Sequence, residues 1–141
     1  MPIFALLTLT SVGLLAGCEL ALSLFVNPAI WQLNGAQYVE LLARWLGKKM
    51  PFWYGANLLL LIAEAILHRH TAGEDLILAA AAIQIAMILC SIFFLVPINN
   101  RLMASQKDWL VLHKRWDNLH RLRVAFLTLA FVLLAGGLGI H

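Results

Sequence analysis

The sequence predicts an all-α fold: an integral membrane four-helix bundle, with an interfacial amphipathic helix between spans 1 and 2. Three observations predict it. Hydrophobic residues make up 62% of the 141 residues and charged ones only 12%; globular chains carry about 45–50% and about 25%. Mean hydropathy is +0.86, and a soluble domain this small exposes too much surface to hide so much apolar side chain. Four apolar runs approach or exceed the length that crosses a bilayer, about 20 residues. A soluble domain, a nucleic-acid binder and a disordered chain are excluded. The chain is read as a single transmembrane domain, residues 1–141.

The first span covers residues 3–26, with Glu19 its only charge, and Asn27-Pro28 is expected to end it. Residues 36–50 follow, with Tyr38, Leu41, Leu42, Trp45 and Leu46 on one side and Glu40, Arg44 and Lys48 towards the other. That pattern suits a helix lying in the membrane interface. The second span, 52–67, is short and contains Asn57 and Glu64. The third, 76–96, is the most apolar, and Pro97 is expected to stop it. A juxtamembrane helix over 107–123 leads into the fourth span, 124–140.

Basic residues give the orientation. Arg44, Lys48, Lys49, Arg101, Lys107, Lys114, Arg115, Arg121 and Arg123 share one side, and only Arg69 lies on the other. Basic loops stay in the cytoplasm, so both termini are expected outside it, most simply in a bacterial inner membrane. The pI of 9.2 therefore reports topology, not nucleic acid. Leu15-Ala16-Gly17-Cys18 resembles a lipidation site. However, no basic residue precedes the apolar run, and the chain stays membrane-like after Cys18. Cys18 and Cys90 show no Cys-x-x-Cys spacing and read as small buried apolar residues. Gly13 with Gly17, Ala79 to Ala82, and Gly136, Gly137 and Gly139 mark close helix contacts. Oligomerisation through such faces stays open.

Ionisable residues inside a span are costly and are functional hypotheses by default. At 100° per residue they form stripes: Thr8, Glu19 and Ser23; Asn57, Glu64 and His68; Gln84 and Ser91. Helix rise places Glu19 roughly level with Asn57 and Ser91, and Glu64 roughly level with Gln84. Two polar levels are expected, the outer one held by a Glu64–Gln84 hydrogen bond or by a function. No Glu-x-x-His occurs, which argues against a di-iron centre.

The densest pattern precedes the fourth span. Trp109, His113, Trp116, His120 and Arg123 fit within an arc of about 80° of a helix, with Lys114, Asn118 and Arg121 on the other side. One reading is an amphipathic helix at the headgroups. The other is an inward face on which Arg123 neutralises Glu19, since a buried carboxylate needs a counter-charge or a proton. Haem or another metal held by histidines is a further reading. His113 and His120 lie at one end, His68, His70 and His141 at the other.

Three segments carry a family resemblance: the polar-interrupted first span with Asn27-Pro28; Val96-Pro97-Ile98-Asn99-Asn100-Arg101-Leu102; and Trp109 with Arg115-Trp116-Asp117-Asn118-Leu119-His120-Arg121-Leu122-Arg123. Together they resemble the anthrone-oxygenase-like family of small four-span membrane proteins, many of them of unknown function. The resemblance implies an oxygenase or oxidoreductase acting on a lipid-soluble, anthrone- or quinone-like aromatic. It implies base-assisted reaction with O₂ and no required metal or flavin. It points to Asn99, Trp116, His120 and Arg123.

On that reading His120 is the base, and Arg123 with Asn57 or Asn99 stabilises the oxyanion. Glu19 orients His120 or neutralises Arg123. Trp109, His113, Trp116, Ser91 and Asn100 contact the substrate. The expected partners are membrane lipid and an apolar aromatic small molecule. Two other classes stay beside it: a non-catalytic membrane component that binds a lipid, cofactor or protein, and a His-ligated metal or haem protein.

Overall fold

A computed structural model describes residues 2–33, 35–104 and 107–139. Four long helices make up the bundle: α1 (Ile3–Gln32), α2 (Ala36–Leu67), α3 (Glu74–Ala104) and α4 (Trp109–Gly139). Each is long and apolar enough to cross a membrane. Among the described residues there is no strand. Each helix packs against its neighbours in sequence, and α4 closes the ring against α1, as short connections between antiparallel helices require. Ile140 and His141 lie outside the described residues, as does the end of the fourth predicted span.

The helices outrun the expected elements. Pro28 and Pro97 were expected to stop α1 and α3, yet both helices run through them. Proline lacks an N–H and clashes with the carbonyl four residues back. Here a π-turn precedes each proline, over Leu22–Val26 and Ser91–Leu95. The N–H of Asn27 reaches the Leu22 carbonyl, and that of Val96 reaches the Ser91 carbonyl. Widening the turn by one residue lets the chain absorb a proline without breaking.

Residues 36–50 are helical as read, but they continue without a break into 52–67, with Pro51 inside α2. They therefore form the first half of a bundle helix and not a separate interfacial element. Val39 and Ala43 are buried against Ile30, Ile98 and Leu102, and this apolar contact holds the segment to the bundle. Residues 109–123 join 124–139 in α4 in the same way.

Three apolar layers form the core. At the Arg69 end, Ala5, Val12, Leu61, Ile77, Ala80, Ala81, Ala130, Leu134 and Leu138 pack together. Leu15, Ala16, Tyr54 and Leu127 form the middle. The basic end gathers Ile30, Val39, Ala43, Ile98 and Leu102 with Trp109, Leu112, Trp116 and Leu119 around them.

Small residues set the approach of α3 to α4. A Cβ on Gly73 would run into the Gly137 carbonyl oxygen, and one on Gly137 would meet Ile77 and the Gly73 carbonyl. Gly13 faces the Phe131 ring, but nothing lies within 4 Å of a Cβ at Gly17. Gly17 therefore makes no helix contact, contrary to the small-xxx-small reading. Large apolar side chains such as Ile3, Phe25, Phe52 and Phe93 cover the outside. This is the surface that lipid would solvate.

Candidate functional site

Each of the four helices contributes at least one polar group to the middle of the bundle. Glu19 of α1 is fully buried. Its Oε1 accepts from the Tyr54 hydroxyl of α2 at 2.9 Å, and its Oε2 accepts from Arg123 Nη2 of α4 at 2.7 Å. Arg123 Nη1 reaches Ser91 Oγ of α3 at 3.4 Å, and the Ser91 hydroxyl donates back to the Met87 carbonyl at 2.8 Å. The guanidinium also lies over the Tyr54 ring, 5.5 Å from its centroid. A buried carboxylate is thus matched by a cation and a hydroxyl, which is what an apolar surround requires.

His120 stands behind this pair. Its Nε2 is 3.1 Å from the Glu19 backbone carbonyl. A carbonyl only accepts, so Nε2 carries the proton in the neutral ring. The Nδ1 lone pair then faces Arg123 Nη2 at 3.0 Å and Glu19 Oε2 at 3.1 Å. A proton on Glu19 Oε2 would therefore lie within hydrogen-bonding reach of His120 Nδ1, 3.1 Å away.

Beside the cluster is a cavity of about 180 Å³. Its walls are mostly apolar, from Leu46, Met50, Ile88, Ile92, Leu95 and Val96. Glu19, Tyr54, Ser91 and Arg123 line it at one end, and Asn99 and Trp116 also line it. A separate small recess of about 10 Å³ shares Asn99 and Trp116 with the cavity and is also lined by His113.

The inward reading of the Trp/His face agrees with the burial pattern. His113 and His120 are buried, while Lys114, Asn118 and Arg121 are exposed. The rings form a ladder: Trp31 is tilted against His113 at 4.7 Å, His113 stacks on Trp116 at 6.0 Å and Trp116 on His120 at 4.6 Å. Among the described residues, neither His113 nitrogen has a hydrogen-bond partner.

Of the sequence-predicted residues, Glu19, Ser91, Asn99, Trp116 and Arg123 line the cavity. His120 does not line it; it reaches the cavity through Glu19, Arg123 and the Trp116 ring stacked on it. Asn57 is fully buried but away from the cavity, and its amide has no hydrogen-bond partner among the described residues. Asn100, about 100° further round α3 than Asn99, is exposed and does not line the cavity. Trp109 packs against Trp31, away from the cavity. Rise-counting had set Asn57 level with Glu19, but the residue that reaches Glu19 is Tyr54, about one turn away on α2.

The outer patch also differs. Glu64 Oε2 and His68 Nδ1 are 3.1 Å apart on one face. Gln84, however, donates to the Tyr54 backbone carbonyl at 3.4 Å and not to Glu64. Sequence reasoning missed Tyr54, Trp31 and the Asn27–Asp117 hydrogen bond, 2.8 Å long and buried. Asp117 also pairs with Arg121 at 2.9 Å. These positions read as part of apolar or charged runs, and only their partners reveal them.

Among the described residues no three His, Cys, Asp or Glu side chains gather as a metal site would require. His113 is packed between indoles, and both nitrogens of His120 face the cluster. No curated protein and no solved structure matches the chain. The profile of the family described as Anthrone oxygenase matches residues 42–133, a stretch that holds Tyr54, Ser91, Asn99, Trp116, His120 and Arg123 but not Glu19. On that match the chain belongs to the anthrone oxygenase family.

Proposed function

We propose that the protein is a membrane-embedded oxygenase that converts a lipid-soluble, anthrone-type carbon acid to the corresponding quinone. The observation that carries this reading is the cavity itself: apolar walls ending on Glu19, Tyr54 and Arg123. A flat aromatic carbon acid needs that combination. Its rings leave water for an apolar slot, its acidic C–H needs a base, and its ketone oxygen needs a cation as it becomes an enolate.

The chemistry balances without a further reactant beyond O₂. Glu19 accepts the proton from the ring CH₂ and passes it to His120 Nδ1, 3.1 Å away. Arg123 and the Tyr54 hydroxyl hold the enolate oxygen. The carbanion gives its electrons to O₂, and a C–O bond forms. The proton returns from His120 through Glu19 to the peroxide anion, and the hydroperoxide so formed loses water, leaving a ketone where the CH₂ was. Each turnover uses one O₂ and releases one water. His120 is a positioning residue and proton acceptor in this scheme, not a substrate contact. The family resemblance and the donor set support a reaction without metal or flavin.

Purified protein in detergent, supplied with anthrone, is expected to consume O₂ and form anthraquinone in equal amounts above the spontaneous rate. Anthrone bound without such turnover would contradict the oxygenase reading and favour a binding protein instead.

The orientation we propose puts both termini outside the cytoplasm of a bacterial inner membrane, on the charge asymmetry of the loops. A reporter active only when exported should work at the C-terminus. Activity of a cytoplasm-only reporter at that position would reverse the topology.

A further inference from the structure

We infer that substrate reaches the cavity sideways from the bilayer, through the cleft between α2 and α3 beside Gly47, Pro51 and Gly55. The inference rests on the proposed reaction for the identity of the substrate, but its geometry stands alone. These three residues are spaced four apart, so they lie in one line on α2, and all three line the cavity. None carries a long side chain. Nothing lies within 4 Å of a Cβ at Gly55, and the nearest atom at Gly47 is Asn99 Nδ2 at 3.7 Å. The opposite wall is the π-turn of α3 and its flanks: Ile88, Ser91, Ile92, Leu95 and Val96.

The mouth of the cavity faces outward. Ile92 is 53% exposed and Val96 42%, though both line the cavity. Phe52 and Phe93 beside them are 82% and 69% exposed, on the lipid-facing surface. The route along the bundle axis is filled. Trp116 stacks on His120 and His113, and Val39, Ala43, Ile98 and Leu102 pack the basic end. A lipid-soluble molecule therefore has a short lateral way in.

The occupant is a flat aromatic with an oxygen at its leading edge. The cavity's volume of about 180 Å³ is more than ten times the roughly 10–15 Å³ that one water needs, enough for a small fused-ring system. The polar atoms it meets at the inner end are Tyr54 Oη, the Glu19 carboxylate and Arg123. Arg123 Nε is buried there without a hydrogen-bond partner among the described residues. Asn99 lies eight residues beyond Ser91 on α3, about 12 Å along the axis, beside Gly47 at the other end of the cleft.

Benzophenone, a lipid-soluble aromatic ketone that inserts into nearby C–H bonds under light, tests the route. It is added to phosphatidylcholine vesicles holding the full chain, and labelled peptides are mapped. The expected label falls on α2 around Met50 and on α3 around Ile88 to Val96, and Gly55→Leu loses it. Gly17→Leu, the same change at an open, exposed position outside the cavity, keeps it. If Gly55→Leu does not fold, Ile92→Trp closes the same mouth from α3 and is expected to lose the label too. Unchanged labelling in the folded cleft variant, or label spread evenly over all helices, would overturn the route. Labelling of the cleft in a protein that consumes no O₂ would support the route while removing the oxygenase. Full O₂ uptake by a Gly55→Leu protein with unchanged labelling would remove the route alone.

Discussion

Glu19→Gln is expected to lower anthrone-dependent O₂ uptake by about 10²–10⁴-fold, the usual contribution of a general base. Gln keeps the shape of the side chain and a carbonyl oxygen for the Tyr54 hydroxyl, now 2.9 Å from Glu19 Oε1. It cannot take a proton. His120→Ala is expected to be milder, because His120 does not line the cavity and acts on it through Glu19, Arg123 and Trp116. Glu19→Asp, which retains a carboxylate about one bond further from the substrate, should recover part of the rate. Rates measured on folded, monodisperse protein decide this. Equal small effects for all three variants would show that no proton passes through Glu19.

Arg123→Met is expected to destabilise the bundle by about 3–5 kcal/mol, because it leaves a buried carboxylate without its counter-charge. Glu19 is fully buried, and its 2.7 Å contact with Arg123 is charge to charge. Arg123→Lys should be intermediate, since a point charge cannot reach Glu19 and Ser91 together. The double variant Glu19→Gln/Arg123→Met should be more stable than Arg123→Met alone, because the unpaired charge is gone. A double-mutant cycle from denaturant unfolding in detergent would measure this, and contacting charges are expected to couple by about 0.5–3 kcal/mol. Additive effects would mean that the two side chains do not interact in the folded protein.

The fold class was legible because apolar length is a strong signal in a membrane: no other structure satisfies the backbone there except a closed barrel. Helix ends were less legible. Pro28 and Pro97 read as stops, and the π-turns that absorb them have no simple sequence mark. Site levels inherited that difference. Charge pairs Arg123 with Glu19 and residue counting sets Ser91 at their level, and the three meet within hydrogen-bonding distance. Asn57 was placed with them by counting residues, which carries an error of about a turn, and Tyr54 sits there instead. Tyr54 was hidden because its single hydroxyl lies in an otherwise apolar stretch. The line of Gly47, Pro51 and Gly55 was visible in the sequence as a four-residue spacing. Its meaning depends on which helix it faces, and only packing supplies that.

The central claim is that O₂ supplies the new ketone oxygen on a carbon acid held against Glu19 and Arg123. Turnover of anthrone under ¹⁸O₂ in ordinary water tests it most directly, with the quinone analysed by mass spectrometry before carbonyl exchange. The account predicts one ¹⁸O in each quinone formed and the second in released water, with the yield of labelled quinone falling about 10²–10⁴-fold in Glu19→Gln. Unlabelled quinone, its new oxygen drawn from water, would contradict it.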